Sequence, residues 1–180
     1  GASVGSKRAK QEVKAKGFIG SSCNSSAHFF ESSKALGTMP HALIGYAGST
    51  LKAAQIYNKL YPKEKLTVLV DYFGNEVTDT LKVCDYFKDL VDNDKLFIRL
   101  DTHGGRYIEG LDIEKSYEVL EVYNPNSIRT YRNEQELKWL VGAGVSAAAI
   151  IHIRTILDSH GYEKVKIIAS SGFNPAKCKL

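Results

Sequence analysis

The sequence predicts an α/β protein, a parallel (β/α) barrel or part of one, and three observations predict it. Residues 66–71, 96–101 and 164–169 are short, β-rich, mostly apolar runs of the kind that form strands buried on both faces. Helix-period segments lie between them. The first two runs end at Asp71 and Asp101, about thirty residues apart, the length of one strand-helix unit, and the third ends at Ser170. An open doubly wound sheet is the alternative architecture. No Gly-x-Gly-x-x-Gly follows the first strand, which argues against a dinucleotide site.

In chain order, Gly17-Phe18-Ile19-Gly20 is a short apolar piece that stops at Ser21-Ser22, and Asn24 or Ser25 caps a helix through about Ala35. A short strand is expected to end near Thr38. Pro40, with its fixed φ and missing donor, suits a first helical turn and delivers His41 to the rim of the sheet. Ser49-Thr50 opens a helix with an apolar face of Leu51, Ala54, Ile56, Leu60 and Tyr61, closed by Pro62. A helix over 76–90 turns Leu81, Val83 or Cys84, Phe87 and Leu90 inward. The glycine-rich, aperiodic 102–113 stretch reads as a functional loop. Two helices within 114–140 flank Asn124-Pro125-Asn126, a weak strand is expected near 139–143, and a helix over 145–159 ends near Gly161. After the third strand, Ser170-Ser171-Gly172 forms a turn before a helix at Asn174. The five strand ends, near Gly20, Thr38, Asp71, Asp101 and Ser170, are expected to share one rim.

The chain of 180 residues is long enough for one domain with a full core, and a single domain over 1–180 is expected. No apolar run is long enough to span a bilayer, which excludes a membrane-spanning helix. The small, basic first residues have no apolar stretch behind them, so no secretory leader is expected. Cys23, Cys84 and Cys178 are odd in number and lack metal-ligand spacing, which predicts a reduced, cytoplasmic protein without a metal cluster of its own. Lys7, Arg8, Lys10, Lys14 and Lys16 against Glu12 give the first sixteen residues a surplus of four positive charges, equal to the net +4 of the whole chain. A basic arm on a balanced body argues against a nucleic-acid face on that body. The absent initial methionine and the stop at Cys178-Lys179-Leu180 predict a piece of a longer chain that lacks an N-terminal domain and the last strand or strands. A cut barrel leaves open edges, so a dimer or larger assembly is expected.

The strand ends offer Ser21, Ser22, Thr38, His41, Asp71, Arg99, Asp101 and the turn Ser170-Ser171-Gly172 as candidate site residues. Alternation puts Arg99 and Asp101 on one strand face, where they form either a structural ion pair or a contact to an anionic ligand and its hydroxyls. His41 is either a reactive imidazole or a capping and packing residue. Asp71 and Asp101, at equivalent strand ends, have the chemistry for acid-base work or for steadying a cation. The backbone N–H groups and hydroxyls of Ser170-Ser171-Gly172 suit a phosphate. His103 is a loop candidate, His152 a packed core residue, and His28 and His160 surface residues.

Five motifs in order, Gly17-Phe18-Ile19-Gly20-Ser21-Ser22, Gly37-Thr38-Met39-Pro40-His41, Leu69-Val70-Asp71, Arg99-Leu100-Asp101 and Ile168-Ala169-Ser170-Ser171-Gly172, resemble those of the nicotinate phosphoribosyltransferases. With the basic start at Gly5-Ser6-Lys7-Arg8-Ala9, the resemblance covers nearly the whole chain. It implies a type II phosphoribosyltransferase barrel beside a second, mixed domain. It implies an enzyme that joins nicotinate to phosphoribosyl pyrophosphate, giving nicotinate mononucleotide in NAD biosynthesis, with ATP and Mg²⁺ and a transiently phosphorylated histidine. By resemblance, His41 is that histidine and Arg99 and Asp101 handle phosphoribosyl pyrophosphate. Ser171 and Gly172 hold its 5-phosphate, while Lys7 and Arg8 reach the pyridine ring and phosphates at a dimer interface. Asp101-Thr102-His103-Gly104-Gly105-Arg106 stands where the family usually has Asp-Ser-Gly-Asp, and Glu76 replaces an aspartate near Gly74. The other readings are a catalytically silent barrel fragment that serves as scaffold or ligand-binding module, and a quinolinate phosphoribosyltransferase relative. The last needs a denser basic cluster for its second carboxylate.

Overall fold

A computed structural model describes residues 24–31, 33–35 and 37–180. The chain divides into two compact units, Gly1–Thr38 and Met39–Leu180.

In the first unit, α1 (Asn24–Ala27) continues as a 3-10 turn, His28–Phe30, and stops at Glu31, whose φ is 58°. The helix expected to reach Ala35 is therefore shorter. The Asn24 side chain closes the segment by accepting from the Ala35 amide at 2.8 Å. The expected strand at 17–20 lies outside the described residues, as do Ser21 and Ser22. The strand expected to end near Thr38 is not formed: residues 37–40 carry no ladder.

The second unit opens with α2 (His41–Ala47) and α3 (Thr50–Leu60), joined at Gly48. Pro40 precedes α2 as its N-cap, with φ −84° and ψ 156°, so His41 is the first helical residue. Ser49 caps α3 through a bond from the Lys52 amide, satisfying one of the donors a helix start leaves free. The buried face of α3 is Thr50, Ala53 and Ala54. Ile56, Leu60 and Tyr61, expected inward, are exposed. Small residues let α3 approach its neighbours closely, and Thr50 Oγ1 donates to Asp79 Oδ2 at 2.5 Å.

Three strands form the sheet of the described residues: β1 (Leu66–Leu69), β2 (Leu96–Leu100) and β3 (Lys166–Ala169), parallel and in that order. Leu66 pairs with Leu96 and Leu69 with Arg99; Phe97 pairs with Lys166 and Leu100 with Ala169. The fold is thus mixed α/β with a parallel sheet, and its three strands stop short of a closed barrel. Between β1 and β2 lie α4 (Glu76–Tyr86) and α5 (Lys88–Asp92) in place of one helix to Leu90. The break falls at Phe87, with φ −103° and ψ 40°, where neither Gly nor Pro marks it. Phe87 and Val91 both pack into the core there.

Between β2 and β3 come α6 (Ile113–Tyr123), α7 (Glu134–Val141) and α8 (Ala147–Ser159), capped by Asp112, Asn133 and Ser146. The strand expected near 139–143 is instead the end of α7. Leu140 and Val141 are buried there, and a short buried apolar run has no period that separates helix from strand. The main core joins Val68, Leu69, Leu96, Ile98 and Leu100 of the sheet to Val83 and Cys84 of α4 and to Ala149, Ile153 and Leu157 of α8. Burial pushes the Cys84 thiol up to about 12. After β3 only a 3-10 turn, Lys177–Lys179, forms where a helix at Asn174 was expected. Just before it, the Asn174 side chain accepts from the Lys177 amide at 2.9 Å.

Candidate functional site

Parallel strands bring β1, β2 and β3 to the same edge of the sheet, so Asp71, Asp101 and Ser170 emerge side by side. The ladder runs on past the strands: the Val70 amide donates to Arg99 O at 3.4 Å and the Ser170 amide to Leu100 O at 2.9 Å. Three of the five expected strand ends therefore share one rim. Of the other two, Thr38 is a half-buried residue of the first unit, and Gly20 is not described.

At the β1 exit, His41 Nε2 lies 3.2 Å from Asp71 Oδ2. The imidazole is 44% exposed and the carboxylate 9%. Pro40 ends the extended segment before α2, so the ring sits at the helix start, where it meets the carboxylate and stays open to solvent. Tyr72 flanks it, with ring centroids 6.3 Å apart, and Phe73 stacks edge-on against Tyr72 at 4.8 Å. Gly45 makes room for this arrangement: a Cβ there would come within 2.6 Å of the Tyr72 hydroxyl. A carboxylate on one ring nitrogen holds the tautomer and leaves the other nitrogen as the nucleophile or base.

At the β2 and β3 exits, Arg99 Nη1 lies 3.6 Å from Asp101 Oδ2. Both share the face of β2 opposite the buried Leu96, Ile98 and Leu100. Ser170 Oγ donates within reach of Asp101 Oδ1 (2.8 Å) and Leu100 O (2.9 Å). Both readings of Arg99 and Asp101 have footing here: they face each other at the outer limit of an ion pair, and Arg99 Nε is buried without a partner. Ser171 and Gly172 have φ of 75° and 71°.

The loop over 102–113 is more ordered than its glycines imply, because Glu76 organises it. This carboxylate is fully buried at the first turn of α4. It accepts from Thr102 Oγ1 at 2.7 Å and the Glu109 amide at 3.1 Å, and pairs with Arg106 Nη2 at 2.6 Å. Arg106 Nη2 also donates to the backbone oxygen of Asp71 at 2.8 Å. Glu109 in turn accepts from the amide and hydroxyl of Thr78, at 2.8 and 2.6 Å. The sequence named Glu76 only as a substituted acid and gave Arg106 no role. The usable signal was an acid in the first turn of a helix that begins at a strand exit, a position the helix dipole favours.

Asp71 and Asp101 are held by different partners, His41 for one and Arg99 with Ser170 for the other, and Asp71 Oδ1 is buried without a partner. Lys7, Arg8, Ser21 and Ser22 lie outside the described residues. Among the described residues no three His, Cys, Asp or Glu side chains gather as a metal cluster. His103 accepts the Gly105 amide within its own loop at 3.0 Å, and His160 binds Ile156 O at 2.8 Å at the end of α8. His28 is exposed. His152 is half-buried and falls short of the packed core residue expected, and burial holds its imidazole below the usual histidine value despite the Glu109 backbone contact.

No protein-family model matches this chain. None of the curated proteins matches it. Among solved structures, that of nicotinate-nucleotide pyrophosphorylase from Pyrococcus furiosus is similar, with 25% sequence identity, a TM-score of 0.52 and 82% of this chain covered. The chain spans 28% of that enzyme's length. No helix of the described residues is long and apolar enough to cross a membrane.

Proposed function

We propose that this chain carries the catalytic edge of a phosphoribosyltransferase of pyridine nucleotide synthesis, with nicotinate as acceptor and ATP coupled through His41. The observation that supports it most is the gathering of His41–Asp71 and Arg99–Asp101–Ser170 at one rim of a parallel sheet. The similarity to a nicotinate-nucleotide pyrophosphorylase supports the same reaction class. In this reading the pyridine nitrogen forms a bond to the anomeric carbon of phosphoribosyl pyrophosphate while the bond to pyrophosphate breaks. Positive charge builds on the ribose, and Asp101 stabilises it. Arg99 meets the leaving pyrophosphate, and the N–H groups of Ser171 and Gly172 hold the 5-phosphate.

The unprotonated ring nitrogen of His41 that Asp71 does not engage bonds to the terminal phosphorus of ATP as the bond to the ADP oxygen breaks and ADP leaves. The added charge reorganises the site, and water later cleaves the N–P bond to release phosphate. Mg²⁺ fits as the counter-ion of the substrate phosphates. It binds through one or two carboxylates together with phosphate oxygens. A type II barrel completed by further strands, a cytoplasmic location and a homodimer or larger assembly belong to the same reading.

A quinolinate-specific transfer with loss of carbon dioxide is the second reading, because it also yields nicotinate nucleotide and pyrophosphate, the compounds in the neighbour's name. Against it, of the two arginines near the rim among the described residues, Arg106 is already committed to buried Glu76. The test incubates the intact protein with phosphoribosyl pyrophosphate, Mg²⁺ and either acid, with and without γ-labelled ATP. Nicotinate mononucleotide from nicotinate, stimulated by ATP and with acid-labile label on the His41 peptide, supports the first reading. Product from quinolinate alone, without label, replaces it with the second.

A further inference from the structure

The loop over 102–113 and the His41–Asp71 pair are joined through one side chain. Arg106 Nη2 bonds both Glu76 Oε1, at 2.6 Å, and the Asp71 carbonyl, at 2.8 Å, which also accepts the Gly74 amide at 3.3 Å. Arg106 Nη1 donates to its own neighbour, Tyr107 O, at 3.2 Å, which fixes the guanidinium plane. The backbone of Arg106 is held from the far side, since its carbonyl accepts the Gly144 amide at 2.8 Å. Gly144 has φ of 78° and lies so close to Gly104 that a Cβ would sit 3.0 Å from the Gly104 Cα. The anchor itself cannot shift cheaply, because Glu76 is fully buried and every bond to it comes from the loop: Thr102, Arg106 and Glu109.

From this geometry we infer that Arg106 is a positioning residue: it fixes the Asp71 backbone against the Glu76 anchor and so sets the Asp71 carboxylate against His41. The inference rests on the reading of His41 as the working imidazole, but its geometry needs no substrate. Asp71 lies just beyond β1, where the ladder with β2 has ended, so its carbonyl depends on Gly74 and Arg106 for partners. Without Arg106 the carbonyl swings towards solvent, and the carboxylate of the same residue turns with it. A loop anchored only for its own sake would need the bond to Glu76 and not the one to Asp71.

The test uses the intact protein with Arg106→Ala, Arg106→Lys and Glu76→Gln. Long-range ¹⁵N NMR of the His41 ring reads which nitrogen carries the proton, and hydrogen exchange reads the loop. In the unaltered protein the neutral ring is expected to be mainly the Nε2–H tautomer, donating to Asp71. Arg106→Ala is expected to abolish that preference, Glu76→Gln to weaken it, and Arg106→Lys to restore part of it. Exchange of the 102–113 amides should rise about tenfold or more in Arg106→Ala. Turnover should fall about a hundredfold with little change in KM for phosphoribosyl pyrophosphate, the signature of a misplaced group. If the loop loosens while the His41 ring signals stay unmoved, Arg106 is a loop anchor only and the inference is overturned. Should Arg106→Ala fail to fold, unmoved His41 signals in Glu76→Gln overturn it in the same way. Lack of transferase activity in the unaltered protein would remove the proposed function, and the tautomer comparison would still decide the role of Arg106.

Discussion

The two halves of the rim are built differently. At the β1 exit the anchor is buried and fully bonded, since Glu76 makes three bonds to the loop, while His41 stands open to solvent and Asp71, tied at Oδ2 and at its carbonyl, keeps a buried Oδ1 without a partner. At the β2 and β3 exits the groups are partly buried but loosely held, with Arg99 and Asp101 3.6 Å apart and Ser171 in a left-handed conformation. The difference teaches that one half is framework and the other is reserve capacity. A saturated carboxylate holds a loop in place, whereas a slack ion pair with a spare guanidinium donor still has interactions to give to a ligand.

The sharpest way to break this comparison is to remove one acid from each half. Glu76→Ala leaves Arg106, Thr102 and the Glu109 amide without their acceptor and should destabilise the second unit by about 3–5 kcal/mol. Asp101→Asn keeps shape and hydrogen bonding at a partly exposed site and should change stability by less than about 1 kcal/mol. Denaturant unfolding monitored by circular dichroism measures both. Equal losses would mean that the halves do not differ. Activity should invert the order of the effects for Asp101→Asn: transfer from phosphoribosyl pyrophosphate is expected to drop about a hundredfold or more while the fold persists, read by steady-state product formation.

Cys84, on the same helix as Glu76, sharpens the framework side. With its thiol pushed up to about 12 and fully buried, it should resist iodoacetamide at neutral pH while exposed Cys178 reacts. Peptide mass mapping should show Cys84 becoming reactive in Glu76→Ala. The smallest expected effect concerns His152, whose side chain lies against Gly110 at the end of the latched loop, 3.1 Å from where a Cβ would stand. Its folded pKa lies below the ordinary 6.5, chiefly through burial, so the unfolded chain binds the proton more readily. Its contribution is complete above the unfolded value and diminishes as pH falls through the window between the two pKa values. Thermal melts should show a shallow loss below about pH 6.5 that His152→Leu flattens.

Local pattern made part of this molecule readable. The three strands and the helices at 76–86, 113–123 and 147–159 follow from apolar runs, caps and periodicity, and alternation alone put Arg99 and Asp101 on one face. The break at Phe87 and the exposure of Ile56, Leu60 and Tyr61 were not readable, because they depend on what packs against the helix. The contact of His41 with Asp71 spans 30 residues, as does that of Glu76 with Arg106. Only the parallel register brings such partners together, so each residue type was visible and the pairing was not.

Gly45 sets helix stability against site geometry. In the middle of α2, alanine would favour the helix by about 1 kcal/mol over glycine. The same methyl would displace the Tyr72 hydroxyl from its 2.6 Å approach and draw the ring away from His41. A library screened only for thermal tolerance would therefore enrich Gly45→Ala, and its winners would have a sturdier α2 beside a disturbed imidazole. Selection for durability and selection for the rim chemistry pull in opposite directions at this one backbone position.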